Sequence, residues 1–242
     1  MIRSFQLFGA ALLLAAAGWA WAGNETAGQP SSIVKTEKPM NVVILGISGR
    51  VGSRLAHELL QRGHRVTGIA RNVAAVAPRD GLSLASADVA DGERLLPLLK
   101  GHDAVISATR FEGSDAASLI AVVKAAGVPR LLVVGGAGSL EVAPGVALID
   151  TPEFPEAYKA EASGGRDFLA VLRQERQLDW TFLSPSALFE PGQRTGTFRL
   201  GKDNLLVDAK GNSAISMEDF AIALSDELEQ PRHSRQRFTV GY

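Results

Sequence analysis

The sequence predicts an α/β fold, a doubly wound parallel sheet with a small C-terminal α+β extension. Three observations carry that expectation. From Asn41 onward, short β-branched or aliphatic runs alternate with segments of helical period, as they do when crossover helices cover both faces of a parallel sheet. The first run passes directly into GISGRVG, whose glycines at 46, 49 and 52 lead into the next helix. After six β/α steps the alternation gives way, near Gly196, to a different pattern.

Each element has its own reason. Asn41 to Leu45 (NVVIL) is the first strand, and Val51, Leu55 and Leu59 recur at four-residue spacing along the helix after it. Gly63 stops that helix. Arg65 to Ala70 reads as strand two, Ser83 to Ala87 as strand three, and Glu93 to Lys100 as a short helix closed by Gly101. Asp103 to Ala108 (DAVISA) is strand four; the helix after it presents Leu119, Val122, Val123 and Ala126 on one face and ends at Gly127-Val128-Pro129. Arg130 to Val134 is strand five. A long loop to about Pro155 precedes a helix through Phe168, Val171, Leu172 and Glu175, and Trp180 to Leu183 is strand six. Gly196 to Val207 suggests a β-hairpin. Ser216-Met217-Glu218-Asp219 fits a capping box before Phe220, Leu224 and Leu228, and Arg237 to Val240 is a last strand. In such a sheet ligands bind at the carboxyl ends of the strands.

Bulk composition narrows the function. With 46% hydrophobic and 21% charged residues, the 242-residue chain can bury a substantial core. A formal charge of −1 supplies no field for a polynucleotide, so nucleic acid is not an expected partner. The absence of cysteine removes disulfides, thiolate nucleophiles and Cys-based metal sites. His57, His64, His102 and His233 are scattered singly, and no metal site is expected. Ser139 follows glycines but lacks the G-x-S-x-G frame of an esterase.

The N-terminus reads as a secretory signal over residues 1–22: a cationic start at Arg3, an apolar run from Leu7 to Ala17, and the small-x-small site Ala20-Trp21-Ala22. An uncleaved anchor is the alternative, although the apolar part is shorter than the ~20 residues that span a bilayer. Residues 23–39 are polar and turn-rich and read as a flexible tether, leaving 40–242 as one domain. Export, to a periplasm for example, follows, with no membrane attachment after cleavage. A start at Met40 would instead leave the protein cytoplasmic.

The glycine turn predicts a nucleotide cradle. Gly46 turns the chain off the strand, Gly49 admits a pyrophosphate to the backbone, and Gly52 lets the helix pack closely; helix N–H groups and dipole favour the anion. An NAD site places an acid at the end of strand two, yet that end reads Ile69-Ala70-Arg71-Asn72. A guanidinium there grips a 2′-phosphate, so NADP(H) is favoured over NAD(H), with Arg50 as a second cation. Asp88 and Val89 follow strand three, where the adenine edge would lie, although Asp88 equally suits an N-cap. Ser107, Ala108 and Thr109 end strand four with small residues that let the cofactor cross the sheet. Gly135 and Gly136 end strand five and would leave room for a flat ring.

With these residues in place, the chain resembles the atypical short-chain dehydrogenase/reductases. Within that branch LLVVGGAGSLEVAPG, IDTPEFPEAYKAEA, DWTFLSPSALFEPGQRTG and QRFTVGY are similar to the NADH-flavin reductase proteins, relatives of the biliverdin reductase B/flavin reductase type. The likeness runs from about Met40 to Tyr242. It implies a Rossmann domain that binds NAD(P)H and reduces flavins, the flavin being a substrate and not a bound prosthetic group. It carries the pyrophosphate role onto Gly46, Ser48, Gly49, Arg50 and Val51, and it supports the same cofactor roles for Arg71, Asp88, Val89, Ser107, Ala108, Thr109, Gly135 and Gly136. Ser184 and Pro185 match the loop that lies along the nicotinamide, and Ser186 follows as a candidate substrate contact.

One departure matters. The superfamily's Tyr-x-x-x-Lys pair is missing: Tyr158 is followed by Lys159 directly and by Ala162 four residues on. Neighbouring helix residues point about 100° apart, so Tyr158 and Lys159 cannot share a face. Flavin reduction escapes the requirement, because hydride moves to a good acceptor and solvent supplies the proton. Lys159 remains a candidate for steadying a phosphate or carboxylate of the substrate. The alternatives are a non-catalytic NAD(P)-binding redox sensor and a sugar-nucleotide epimerase-like enzyme, the latter disfavoured by the missing pair.

Overall fold

The computed structural model describes residues 38–242; the signal segment and most of the tether lie outside the described residues. Strands β1 (Asn41–Leu45), β2 (Arg65–Ala70) and β3 (Leu82–Ser86) are joined by helix α1 (Arg50–Gln61) and a loop, and helix α2 (Gly92–Leu99) leads to β4 (Ala104–Ser107). Helix α3 (Ala116–Ala125) precedes β5 (Arg130–Val134). What reads in sequence as a featureless loop then forms a small hairpin, β6 (Glu141–Ala143) with β7 (Val146–Ala147), and two 3₁₀ turns, Leu148–Asp150 and Glu156–Tyr158. Helix α4 (Lys159–Leu172), β8 (Asp179–Ser184), β9 (Leu188–Glu190), β10 (Arg199–Gly201), β11 (Ala214–Ser216), α5 (Met217–Glu229) and β12 (Gln236–Gly241) complete the order.

Eight strands form one sheet in the order β10-β12-β8-β5-β4-β1-β2-β3, all parallel except the β10–β12 pair. The alternation inside β1 explains its two-sided burial. Val43 and Leu45 join one core with Val105, Val133 and Phe182 under α3 and α4. Val42 and Ile44 join the other with Ile106, Leu132 and Val134 under α1 and α5. The chain winds from β1 toward β3 in one direction and from β4 toward β12 in the other, so the switch falls between β1 and β4, where Leu45 pairs with Ser107. Chain entry is at the opposite end: the Met40 amide donates to His64 Nδ1 at 3.1 Å and the Asn41 amide to Asp103 Oδ2 at 2.7 Å.

Two elements differ from expectation. Residues 196–207 do not form a hairpin. β10 pairs antiparallel with β12 instead, and the next segment turns to β6, with the Glu141 amide donating to the Asp203 carbonyl and the Leu205 amide to the Glu141 carbonyl, both at 2.8 Å. The open edge of β12 offers Arg199–Gly201 a longer partner than its own sequence neighbours do. Helix α4 stops at Leu172, because Glu175 accepts the Gln177 and Leu178 amides and shapes the turn into β8. Ser216 caps α5 as expected, the Asp219 amide donating to Ser216 Oγ at 3.0 Å, but the reciprocal arm of a capping box is absent, because the Ser216 amide donates to Tyr242 Oη at 3.2 Å and the Asp219 carboxylate accepts from the Thr195 and Gly196 amides.

Candidate functional site

The glycine turn is squeezed between its own helix and the end of β4. The Gly46 amide donates to the Ile69 carbonyl at 2.8 Å, and the Gly49 amide to the Gly46 carbonyl at 2.9 Å. Gly46 adopts φ +86°, and a Cβ on it would stand 2.6 Å from the Ala108 carbonyl oxygen. A Cβ on Gly52 would penetrate the Gly46 carbonyl. Gly49 is the N-cap of α1 and supplies no side-chain cap, and the first turn of the helix holds no acid. Its leading N–H groups and dipole therefore face outward uncompensated, beside exposed Ser48 and Arg50 with half-buried Val51 behind them.

The other expected residues ring this turn at the carboxyl ends of the strands. Arg71 follows β2, exposed, and its guanidinium has no partner among the described residues; its carbonyl accepts Ser86 Oγ at 2.8 Å. Arg50 likewise has no side-chain partner among them. Asp88 is exposed and accepts the Ala90 amide at 3.0 Å, while the cap of α2 is Asp91. Val89 is half-buried against the core. Ser107 is buried with its Oγ 3.2 Å from Thr109 Oγ1, and Ala108 and Thr109 are half-buried beside Gly46.

The strand-five and strand-six positions divide. Gly135 is buried, and the side chain it lacks would collide with Phe182, so its smallness seats β8 and does not open space for a ring. A Cβ on Gly136 would meet nothing within 4 Å, so this glycine does face open space. Ser184, Pro185 and Ser186 are all buried. Ser184 Oγ has no hydrogen-bond partner among the described residues, whereas Ser186 Oγ donates to the Val240 carbonyl at 3.0 Å and is spent on the fold. Ser186 is therefore not a surface group that a substrate can reach.

Helix α4 accounts for the missing pair. Tyr158 lies in the preceding 3₁₀ turn, 65% exposed. Lys159 is ion-paired with Glu156 at 2.6 Å on the exposed surface. Ala162 packs on the strand-five loop, since a Cβ on Gly138 would stand 2.7 Å from the Ala162 Cβ.

The sequence model of the NAD(P)H-binding family matches residues 46–231. The chain belongs to that family. Its solved relatives include a protein of Bacteroides thetaiotaomicron described as a proposed epimerase, 44% identical, covering 85% of this chain and 98% of that one with a TM-score of 0.80. A proposed exported protein of Burkholderia pseudomallei is 45% identical over 84% of this chain and 100% of its own, TM-score 0.76. A proposed NADH-flavin reductase of Streptococcus pneumoniae is 34% identical over 84% and 99%, TM-score 0.74. With them this NAD(P)H-binding protein stands among the atypical short-chain dehydrogenase/reductases, on a Rossmann-type sheet.

Two features of this NAD(P)H-binding protein escape sequence reading. Glu161, on α4, accepts the Phe111 and Glu112 amides at 2.9 and 3.0 Å; only the glycine pair Gly164-Gly165 in mid-helix hints that something packs closely there. At the far end of the sheet, Arg62 and Glu58 form a buried pair at 2.9 Å that extends to Asp226, Glu229 and Arg194. Burial alone would raise the Glu58 carboxyl, but hydrogen bonds from Arg194 and Arg62 outweigh it and hold the group below its ordinary value. Among the described residues no group of His, Asp and Glu is arranged to hold a metal ion, and no helix is long and apolar enough to cross a membrane.

Proposed function

We propose that the chain is an NAD(P)H-dependent reductase that favours NADPH and passes its hydride to a flavin or a flavin-like, quinone-type acceptor. The observation that carries this reading is an uncapped, acid-free helix end flanked by Arg50 and Arg71, two guanidiniums without partners among the described residues, in a chain whose helix α4 carries no acid–base pair. Gly46, Ser48, Gly49, Arg50, Val51 and Gly52 cradle the pyrophosphate through backbone N–H groups and the helix dipole. Arg71 takes the 2′-phosphate through paired N–H groups. Asp88 and Val89 border the adenine, and Ser107, Ala108, Thr109 and Gly136 border the nicotinamide; Gly135, Ser184 and Pro185 support that end from beneath.

Bound NADPH supplies hydride from the nicotinamide C4, and with one proton from solvent an oxidised flavin becomes the dihydroflavin. The chain's own contribution is orientation: it stacks two flat rings at the open end of β5 and withholds water from between them. The likeness to the Streptococcus protein supports the flavin. Mixing purified protein with NADPH and FMN, FAD or riboflavin should oxidise the nucleotide; no turnover with any flavin or quinone would sink the reading.

The absence of a Tyr-x-x-x-Lys pair on α4 also suits a second reading, a redox sensor that binds the nucleotide without turning it over. That protein would bind tightly and change conformation between NADP⁺ and NADPH. An epimerase needs the absent pair. Export after cleavage at residue 22 is part of the proposal, supported by the exported Burkholderia relative; N-terminal sequencing of native protein decides between it and a cytoplasmic start at Met40.

A further inference from the structure

In the first turn of α4, one residue before the position where a Tyr-x-x-x-Lys enzyme would carry its lysine, this chain holds a loop. Glu161 stands in the first turn of α4 and accepts two consecutive backbone amides from the segment after β4, Phe111 N to Oε1 at 2.9 Å and Glu112 N to Oε2 at 3.0 Å. Both carboxylate oxygens are used, and Arg110 Nε approaches one of them at 3.5 Å. One turn further on, the helix is cut away to receive the same loop. A Cβ on Gly164 would stand 2.9 Å from the Phe111 carbonyl oxygen, and one on Gly165 3.0 Å from the Phe111 ring. The Phe111 ring, so admitted, packs on Phe168 and stacks on Phe182 at 5.3 and 5.9 Å between centroids. Phe182 is the side chain for which Gly135 leaves room. A continuous set of contacts thus runs from Glu161 through Phe111 and Phe182 to Gly135 at the end of β5.

We infer that Glu161 is the positioning residue of the acceptor side: it fixes segment 110–112 as the wall against which the acceptor seats. This rests on the reductase reading for the identity of the acceptor, but not for the hold on the loop. Two amide hydrogen bonds to a carboxylate are each stronger than neutral ones, and they join parts of the chain some fifty residues apart. None of the hydrogen bonds and ring contacts that Glu161 and Phe111 make reaches the glycine turn or Arg71, so loss of Glu161 should loosen the acceptor side while the nucleotide stays held.

The test compares wild type with Glu161→Gln, which keeps one acceptor oxygen, and Glu161→Ala, which keeps none. With NADPH and FMN, the KM for FMN should rise about tenfold or more in Glu161→Ala and less in Glu161→Gln. The kcat should fall less than about threefold, and NADPH affinity by nicotinamide fluorescence should move less than about twofold. Hydrogen exchange at the Phe111 and Glu112 amides should quicken in both variants. An unchanged KM, or an NADPH affinity that falls as far as the KM rises, would overturn the acceptor-side role. If wild type reduces no flavin, the functional reading fails by itself, and unchanged exchange at the two amides in folded Glu161→Gln would separately overturn the hold on the loop.

Discussion

The two ends of the sheet use the same chemical groups to opposite purposes. At the amino ends of the strands, Arg62 and Glu58 are buried and mutually satisfied, His64 Nε2 lies 2.9 Å from Glu229, and Arg130 pairs with Glu227 at 2.9 Å. At the carboxyl ends, Arg50 and Arg71 are exposed and their guanidiniums are, among the described residues, without partners, beside a helix terminus that no side chain caps. A cavity of about 190 Å³ lies at the first end, lined by Glu58, Arg62, Arg194, Asp226 and Glu229. The enclosed end and the end with uncompensated charge are therefore different ends of the sheet. Where every cation already has its carboxylate, an incoming anion gains little; where the cations stand in water without one, it gains the full charge-assisted contact.

The sharpest way to break the comparison is to remove one partner at the satisfied end. Glu58→Ala leaves Arg62 buried with fewer counter-charges and should cost about 3–5 kcal/mol of unfolding free energy, measured by denaturant titration, with NADPH affinity of the folded protein unchanged. A parallel loss of affinity would show that the two ends are coupled. Gly52→Ala attacks the other end: overpacking against the Gly46 carbonyl should cost about 1–3 kcal/mol and abolish nucleotide binding together, read by thermal melt and fluorescence titration. Retained binding would mean that the turn yields without losing its cradle.

Arg71→Ala should leave stability within about 0.5 kcal/mol and weaken NADPH by about tenfold while NADH is unaffected. Equal losses for both nucleotides would refute the 2′-phosphate assignment. Acid should separate the ends in a smaller way. The Glu58 carboxyl is held below its unfolded value of 4.5, so its contribution is fully present above that pH and is lost as pH falls through the lower folded value. The stability gap between wild type and Glu58→Gln should therefore close with acidification. The smallest effect belongs to Tyr158→Phe, which should change flavin turnover less than about twofold, because an exposed hydroxyl outside α4 is not positioned to exchange a proton with the acceptor.

Much of the fold and of the glycine turn was legible because it is local. The strand β1, the turn, and the stop at Gly63 follow from neighbours within a few residues, and so does the end of β2 at Arg71. The hairpin reading of 196–207 failed because the partner of Arg199 lies over forty residues on, at Gly241, and alternation of side chains says that a strand exists without saying what it pairs with. Arg62 with Asp226, and Glu161 with Phe111, are likewise contacts that only the fold brings together. Gly135 shows a subtler limit. A glycine leaves space, but the sequence does not reveal that the space is filled by Phe182 and not by a ligand.

The entry of the chain at the amino end of β1, fastened through Met40 to His64 and Asn41 to Asp103, sets the direction in which the molecule looks out. Met40 therefore lies at the pole opposite the glycine turn. A bead or a surface that met the molecule at Met40 would touch the saturated pole, and Arg50, Arg71 and the uncapped helix end would point toward open solution.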